Sequence, residues 1–192
     1  MRAQLEIFTL NFFQHELLIA LREWLALEFN LHSLESSFSF SLDESFDPAR
    51  RQYHATRIWE QVLKARQGSH HKLLVITEYD LFIPVLTFVF GEAQLGGRAG
   101  IVSICRLLES FYGLVPNQDL LFQRLCKEVV HELGHLYGLR HCYMPSCVMG
   151  PSTTVERVDA KEWKFCPECL ETFARAREDL AMKLSHTPPK KR

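Results

Sequence analysis

The sequence predicts a mixed α/β fold around one core, and three observations predict it. Apolar runs of strand length alternate with stretches whose apolar residues recur at helical spacing. Gly96-Gly97 stands between two of the runs and marks a chain reversal, which makes that pair antiparallel. The chain has 192 residues, 47% of them hydrophobic, enough to bury one core and too few for two domains of usual size.

Leu5, Ile7 and Thr9 alternate with other residues in a run that ends at Asn11, a first strand. A helix follows to about Glu28, with Leu17, Leu21, Trp24 and Leu25 spaced as one buried stripe. A second extended segment is expected near Phe38 to Leu42, and Asp47-Pro48 breaks it before a helix carrying Ile58, Val62 and Ala65. The segments from Lys72 to Ile76, Leu86 to Phe90 and Ala99 to Ile104 are strand-like. From about Pro116 a long helix is expected, because Phe122, Leu125, Val129, Leu133 and Leu136 trace one apolar stripe and Gly138 offers a stop. A loop rich in Cys, Pro and Gly leads to a final helix, expected after Asp159 and through Phe173, Ala176 and Leu180. Residues 1–186 are expected to form one domain with a small C-terminal part from about Cys142, and Thr187 to Arg192 a polar, proline-rich tail that does not pack. Phe12, Phe13, Phe38, Phe40, Phe88, Phe90, Phe111 and Phe122 read as packing residues.

Charge narrows the partners. A formal net charge of -1 supplies no field to hold the chain on nucleic acid or an anionic membrane. Arg50-Arg51 and Lys190-Lys191-Arg192 read as solvated surface. The first ten residues lack a basic stretch followed by a long apolar run, and no segment has the roughly 18 uncharged apolar residues of a membrane span. The expectation is a cytoplasmic monomer.

The chemistry concentrates in forty residues. His131-Glu132-Leu133-Gly134-His135 puts two imidazoles four residues apart, on one face of a helix, where both can reach one zinc ion. Glu132 then lies beside the metal and suits the role of general base towards water. Gly138 stands where the chain must leave the helix to return a third imidazole, His141. Three protein ligands leave a fourth tetrahedral position for water, the mark of a catalytic zinc. The five-residue motif alone also occurs in ordinary helices with surface histidines; Gly138 and His141 at these positions make that reading remote. The histidines at 15, 32, 54, 70, 71 and 186 lack ligand spacing.

Cys142 and Cys147, then Cys166 and Cys169, form two knuckles that can close on one tetrahedral ion. Four thiolates leave no open position, so this second zinc is structural. Two disulfides or free buried thiols are the alternative. Because Cys142 follows His141 directly, the second ion would fix the loop that delivers the third histidine. Cys105 and Cys126 fall outside the pattern and read as buried apolar residues.

His131 through Cys169 resembles the archaemetzincin signature, an extended zinc motif ending in a cysteine and followed by further cysteines and a methionine. The resemblance covers about forty residues closely and the N-terminal half loosely. It implies that Met149 is the turn methionine beneath the catalytic zinc, where the plain alternative is a core methionine. It implies a twisted mixed sheet of about five strands with packed helices, a central zinc helix and a small C-terminal part. It also implies an antiparallel edge strand that borders the cleft and pairs with an extended peptide, for which Phe88 to Ala93 is the candidate and a plain sheet strand the alternative.

Two functions follow. The first is a metallopeptidase with two Zn2+ per chain, acting on a peptide or protein substrate by metal-activated water with Glu132 as base. The second is a zinc-stabilised peptide-binding or scaffold protein with little or no cleavage, against which the intact Glu132 argues. A nucleic-acid role for the cysteine knuckle is disfavoured by the charge balance.

Overall fold

Strands whose alternate side chains point to opposite faces, with helices packed on both faces, organise the molecule. The computed structural model describes residues 5–36 and 41–185. In chain order they form β1 (Leu5–Leu10), α1 (His15–Phe29), β2 (Ser33–Ser36), β3 (Phe46–Asp47), β4 (Gln52–His54), α2 (Ala55–Ala65), β5 (Lys72–Thr77), β6 (Leu81–Phe82), β7 (Gly91–Ala93), β8 (Ala99–Ser103), α3 (Gln118–Leu136), α4 (Val155–Ala160) and α5 (Pro167–Ser185). Five strands make one sheet in the order β2-β1-β5-β8-β7. β1 pairs in parallel with β2 and β5, β5 in parallel with β8, and β7 antiparallel with β8. The expected mixed sheet of five strands with an antiparallel edge is therefore observed. β3, β4 and β6 form a second, smaller sheet.

Alternate residues of the strands serve two cores. Ile7, Leu74, Ile76 and Val102 pack with Leu21 and Leu25 of α1 and Leu125, Val129 and Leu133 of α3. Phe8, Leu73, Val75 and Ile101 pack on the other face with Ile58, Trp59 and Val62 of α2. Covered on both sides, β5 is buried at each of its six residues, as a central parallel strand must be. The stripe expected on α1 is confirmed: Leu17, Leu21 and Leu25 are buried and Trp24 packs against them. Among the described residues no helix is long and apolar enough to cross a membrane.

Four expectations are corrected. Leu86 to Phe90 form no strand: the chain turns after Pro84, with Leu86 N–H donating to Ile83 O at 3.0 Å, and Val89 makes an isolated bridge to Leu81. Val85 and Leu86 are apolar but exposed, so composition overstated their burial, and the pairing with β8 falls on Gly91–Ala93. The final helix starts at Pro167, later than expected after Asp159, because residues 161–166 turn inward to bury Lys161 and Phe165, and a short helix, α4, that the sequence did not announce precedes them. Pro167 then starts α5 at a position where its missing N–H costs nothing. Phe38 to Phe40 of the expected second strand lie outside the described residues, as does the tail from Thr187, while Ser41 and Leu42 are not in a strand. The strand beside β1 is instead Ser33–Ser36, too polar to announce itself. Phe13 and Phe111 are exposed and do not serve as core residues.

One buried cation ties the sheet to the end of α3. Lys72 Nζ donates to Gly97 O at 2.6 Å and to Leu136 O at 2.8 Å, the latter a helix-terminal carbonyl with no partner inside the helix. Burial, then the Arg98 charge, lowers the Lys72 pKa to about 8. The unfolded chain holds that proton up to about 10.5, so between these values it binds more protons than the folded chain and stability rises with pH. Lys72→Met removes this contribution. Urea midpoints at about pH 7 and about pH 9.5 are expected to show the parent gaining stability relative to the variant at the higher pH. A difference that stays constant, or shrinks, contradicts the assignment.

Candidate metal centre and cleft

α3 is capped at its start by Asn117, whose Oδ1 accepts the Leu120 N–H at 3.0 Å. Its end is a Schellman turn: Gly138 N–H donates to His135 O and Leu139 N–H to Gly134 O, both at 2.9 Å. Gly138 has φ 92°, which a side chain would strain. The hairpin turn between β7 and β8 is fastened to the same place, with Gly96 N–H donating to His135 O at 2.8 Å. This reversal returns His141 to the face of α3 that carries His131 and His135.

The three expected histidines converge. Ring centroids lie 4.6 Å apart for His131 and His135, 5.3 Å for His131 and His141, and 5.0 Å for His135 and His141. One ring nitrogen from each falls within 4.8 Å of the others. His131 Nδ1 lies 2.8 Å from Val148 O and His135 Nδ1 2.8 Å from Leu139 O. A carbonyl only accepts, so both Nδ1 atoms carry the proton and both Nε2 atoms carry a lone pair. Those two Nε2 atoms stand 3.1 Å apart. Two lone pairs at that distance repel unless a cation takes both, so the donor set fits a metal ion and has no good account without one. Burial, first of all, holds all three imidazoles below the usual histidine range; the Lys161 ammonium adds to this at each.

Glu132 lies on the floor of the same cleft, 3% exposed, and its Oε2 has no hydrogen-bond partner. Burial, then the Glu128 charge, pushes its carboxyl well above the usual carboxylate range. Its side chain lies against the backbone of β7: a Cβ on Gly91 would stand 2.6 Å from Glu132 Oε1. The cleft has a volume of about 400 Å³ and is lined by Ile83, residues 86–93 of the β7 approach and strand, Glu128, the three histidines, Glu132 and residues 151–153. β7 forms its rim. Ser103 N–H bonds Phe90 O and Gln94 N–H bonds Ala99 O, so in the alternating ladder the even-numbered residues face β8. Gly91 and Ala93 turn their backbone groups to the free edge.

Met149 is fully buried beneath α3. A Cβ on Gly134 would stand 2.3 Å from Met149 Sδ, so the glycine inside the histidine motif is what admits the methionine. Met149 O also accepts the Cys142 N–H at 3.0 Å. The expected cysteines meet here as well: the sulfurs of Cys142, Cys147, Cys166 and Cys169 lie within 4.8 Å of one another. All four are free, and Cys142 and Cys166 sulfurs are 3.8 Å apart, far beyond a disulfide bond. Met144 N–H donates to Cys142 Sγ and Cys166 N–H to Cys147 Sγ, contacts that favour thiolate charge. Four sulfurs gathered on a dication satisfy that arrangement. Cys126 is buried as expected while Cys105 is half-buried, and burial pushes the Cys105 thiol up to about 11 and Cys126 up to about 12.

Two residues at the site went unread in the sequence. Glu128, one turn before Glu132 on the same face of α3, was legible from its spacing. Lys161, whose Nζ lies 2.9 Å from Glu128 Oε1, carries no local signal, since its place depends on how the segment between α4 and α5 turns inward.

The sequence profile of Peptidase family M54 matches residues 43–175. Archaemetzincin of Methanocaldococcus jannaschii is 41% identical over 127 residues, which cover 66% of this chain and 69% of that one. The crystal structure of archaemetzincin from Methanopyrus kandleri superposes with a TM-score of 0.81 at 29% identity, covering 92% of this chain and 96% of that one. A zinc-dependent peptidase from Methanocorpusculum labreanum superposes with a TM-score of 0.80 at 29% identity, covering 88% and 99%. With the histidine and cysteine clusters where the signature places them, the chain belongs to peptidase family M54, the archaemetzincins.

Proposed function

We propose that the chain hydrolyses peptide bonds, with His131, His135 and His141 holding a catalytic zinc, Glu132 as general base, and Cys142, Cys147, Cys166 and Cys169 holding a structural zinc. The observation that carries this reading is the pair of Nε2 lone pairs 3.1 Å apart beside the unpartnered carboxylate oxygen of Glu132. Zinc on three imidazoles supplies Lewis acidity, which brings water into ionisation near pH 7 and polarises a carbonyl. The rest falls to the chain. An extended peptide pairs with the free backbone groups of Gly91 and Ala93, which sets its scissile bond along the cleft. Glu132 takes a proton from the attacking water and hands it to the departing amine nitrogen. Burial raises its proton affinity, so the acid it becomes is weak enough to form and strong enough to give the proton back. Met149 supports the histidine face of α3 from below through its contact with Gly134.

Glu132→Ala is expected to keep its metal and lose at least about a hundred-fold in kcat on a peptide library. A variant that cleaves as fast as the parent would remove Glu132 from the mechanism. Elemental analysis of the purified parent is expected to find about two zinc ions per chain, and of His135→Ala about one. One zinc in the parent means that one of the two clusters is not a zinc site.

The pH profile separates base from ligands. Glu132 acts as its carboxylate, so kcat/KM falls as pH drops through a raised Glu132 pKa, and the midpoint lies above the ordinary glutamate value of about 4.5. Burial lowers the proton affinity of the three histidines and so opposes their protonation, and metal content followed over the same pH range tells the two limbs apart. Loss of metal in step with loss of rate would assign the acid limb to the ligands instead.

A further inference from the structure

We infer that Glu128 is a positioning residue that holds the Lys161 ammonium away from Glu132, leaving the Glu132 carboxylate free to take a proton. The inference rests on the reading of Glu132 as the base. Three carboxylates line the cleft, those of Glu92, Glu128 and Glu132. Glu92 is occupied: Thr56 Oγ1 donates to it at 2.8 and 2.9 Å, and Trp59 Nε1 at 3.0 Å. Glu128 is occupied by Lys161 at 2.9 Å, an ion pair whose alignment falls short of a hydrogen bond. Glu132 alone of the three has a buried oxygen with no partner of either kind.

Lys161 is 4% exposed and Glu128 3% exposed, so neither charge is dissolved by water. A buried ammonium without a carboxylate is costly, and among the described residues its other anchor is Gly150 O at a weak 3.4 Å. Glu128 and Glu132 lie four residues apart on one face of α3, where side chains are neighbours. A lysine on its flexible stem can reach from one to the other. Such contact would disable Glu132, because a carboxylate bound to an ammonium accepts a proton poorly and loses the lone pairs that water needs. The carboxylate at 128 therefore satisfies the lysine at a distance from the chemistry.

Glu128→Gln removes the charge and keeps the shape. Its expected result is a fall in kcat of about ten-fold or more, with KM changed less than about two-fold and zinc content unchanged. Adding Lys161→Met to it is expected to recover most of that loss, which a merely structural role for Glu128 would not predict. A crystal structure of zinc-loaded Glu128→Gln should show Lys161 Nζ within about 3.2 Å of a Glu132 oxygen. The proposal is overturned if Glu128→Gln keeps its kcat, if the double variant is no faster than the single, or if Lys161 leaves Glu132 unpaired in that structure. Should the single variant not fold, the charge-balanced double variant is compared with the parent, and a loss of more than about ten-fold in kcat overturns the proposal equally. A parent that cleaves no peptide would end the hydrolase reading, and the crystallographic contact would then decide this one.

Discussion

Two imidazole lone pairs forced towards each other are the constraint on which the rest of the structure depends. Helical spacing alone brings His131 and His135 to one face, but it does not settle which nitrogens meet. That is done by Val148 O and Leu139 O, which engage the far nitrogen of each ring. Both carbonyls belong to segments that follow α3. The helix therefore presents a usable pair only when the chain after it has folded back, and that return is governed by Gly138 and the Schellman turn.

The histidine and cysteine clusters share this returning segment and behave as one construction. His141 and Cys142 are consecutive and serve different clusters. Cys142 is bonded through its N–H to Met149 O, Met149 lies against Gly134, and Val148 orients His131. A sulfur cluster that fixes Cys142 and Cys147 thus anchors the chain just after Leu139 and just before Val148, the two residues that orient the histidines. The closed coordination proposed for it would suit that purpose, since a site without an open position gains only by being rigid.

Much of this was legible in the sequence, and the reasons differ by element. Ligand residues are legible because their chemistry is local: spacing on a helix and pairing of knuckles survive in one dimension. β1, α1, β5, β8 and α3 were legible because both their faces or one broad stripe are apolar. The Leu86 to Phe90 segment misled because apolar residues at a cleft rim look like a strand when nothing in the sequence says that the rim is open. β2 was missed for the opposite reason, being a polar edge held by backbone pairing alone. Lys161 was illegible because its meaning lies in a contact across 33 residues with Glu128, which no local pattern records. The late start of α5 belongs to the same class: the inward turn of Phe165 and Cys166 towards the core and the sulfur cluster depends on both being assembled.

An open sheet edge welcomes any extended chain, including a neighbouring copy of the same protein, and long apolar edges aggregate for that reason. β7 is only three residues long, flanked on one side by the turns after Pro84 and on the other by the reversal at Gly96. Another folded molecule laid along it would gain a rung or two of backbone pairing, too little to hold two globules together. A slender strand threaded into the groove gains those same rungs together with the cleft walls on its other sides. Under the proposed pairing with a peptide, brevity of the edge would favour thin, unstructured chains over folded partners.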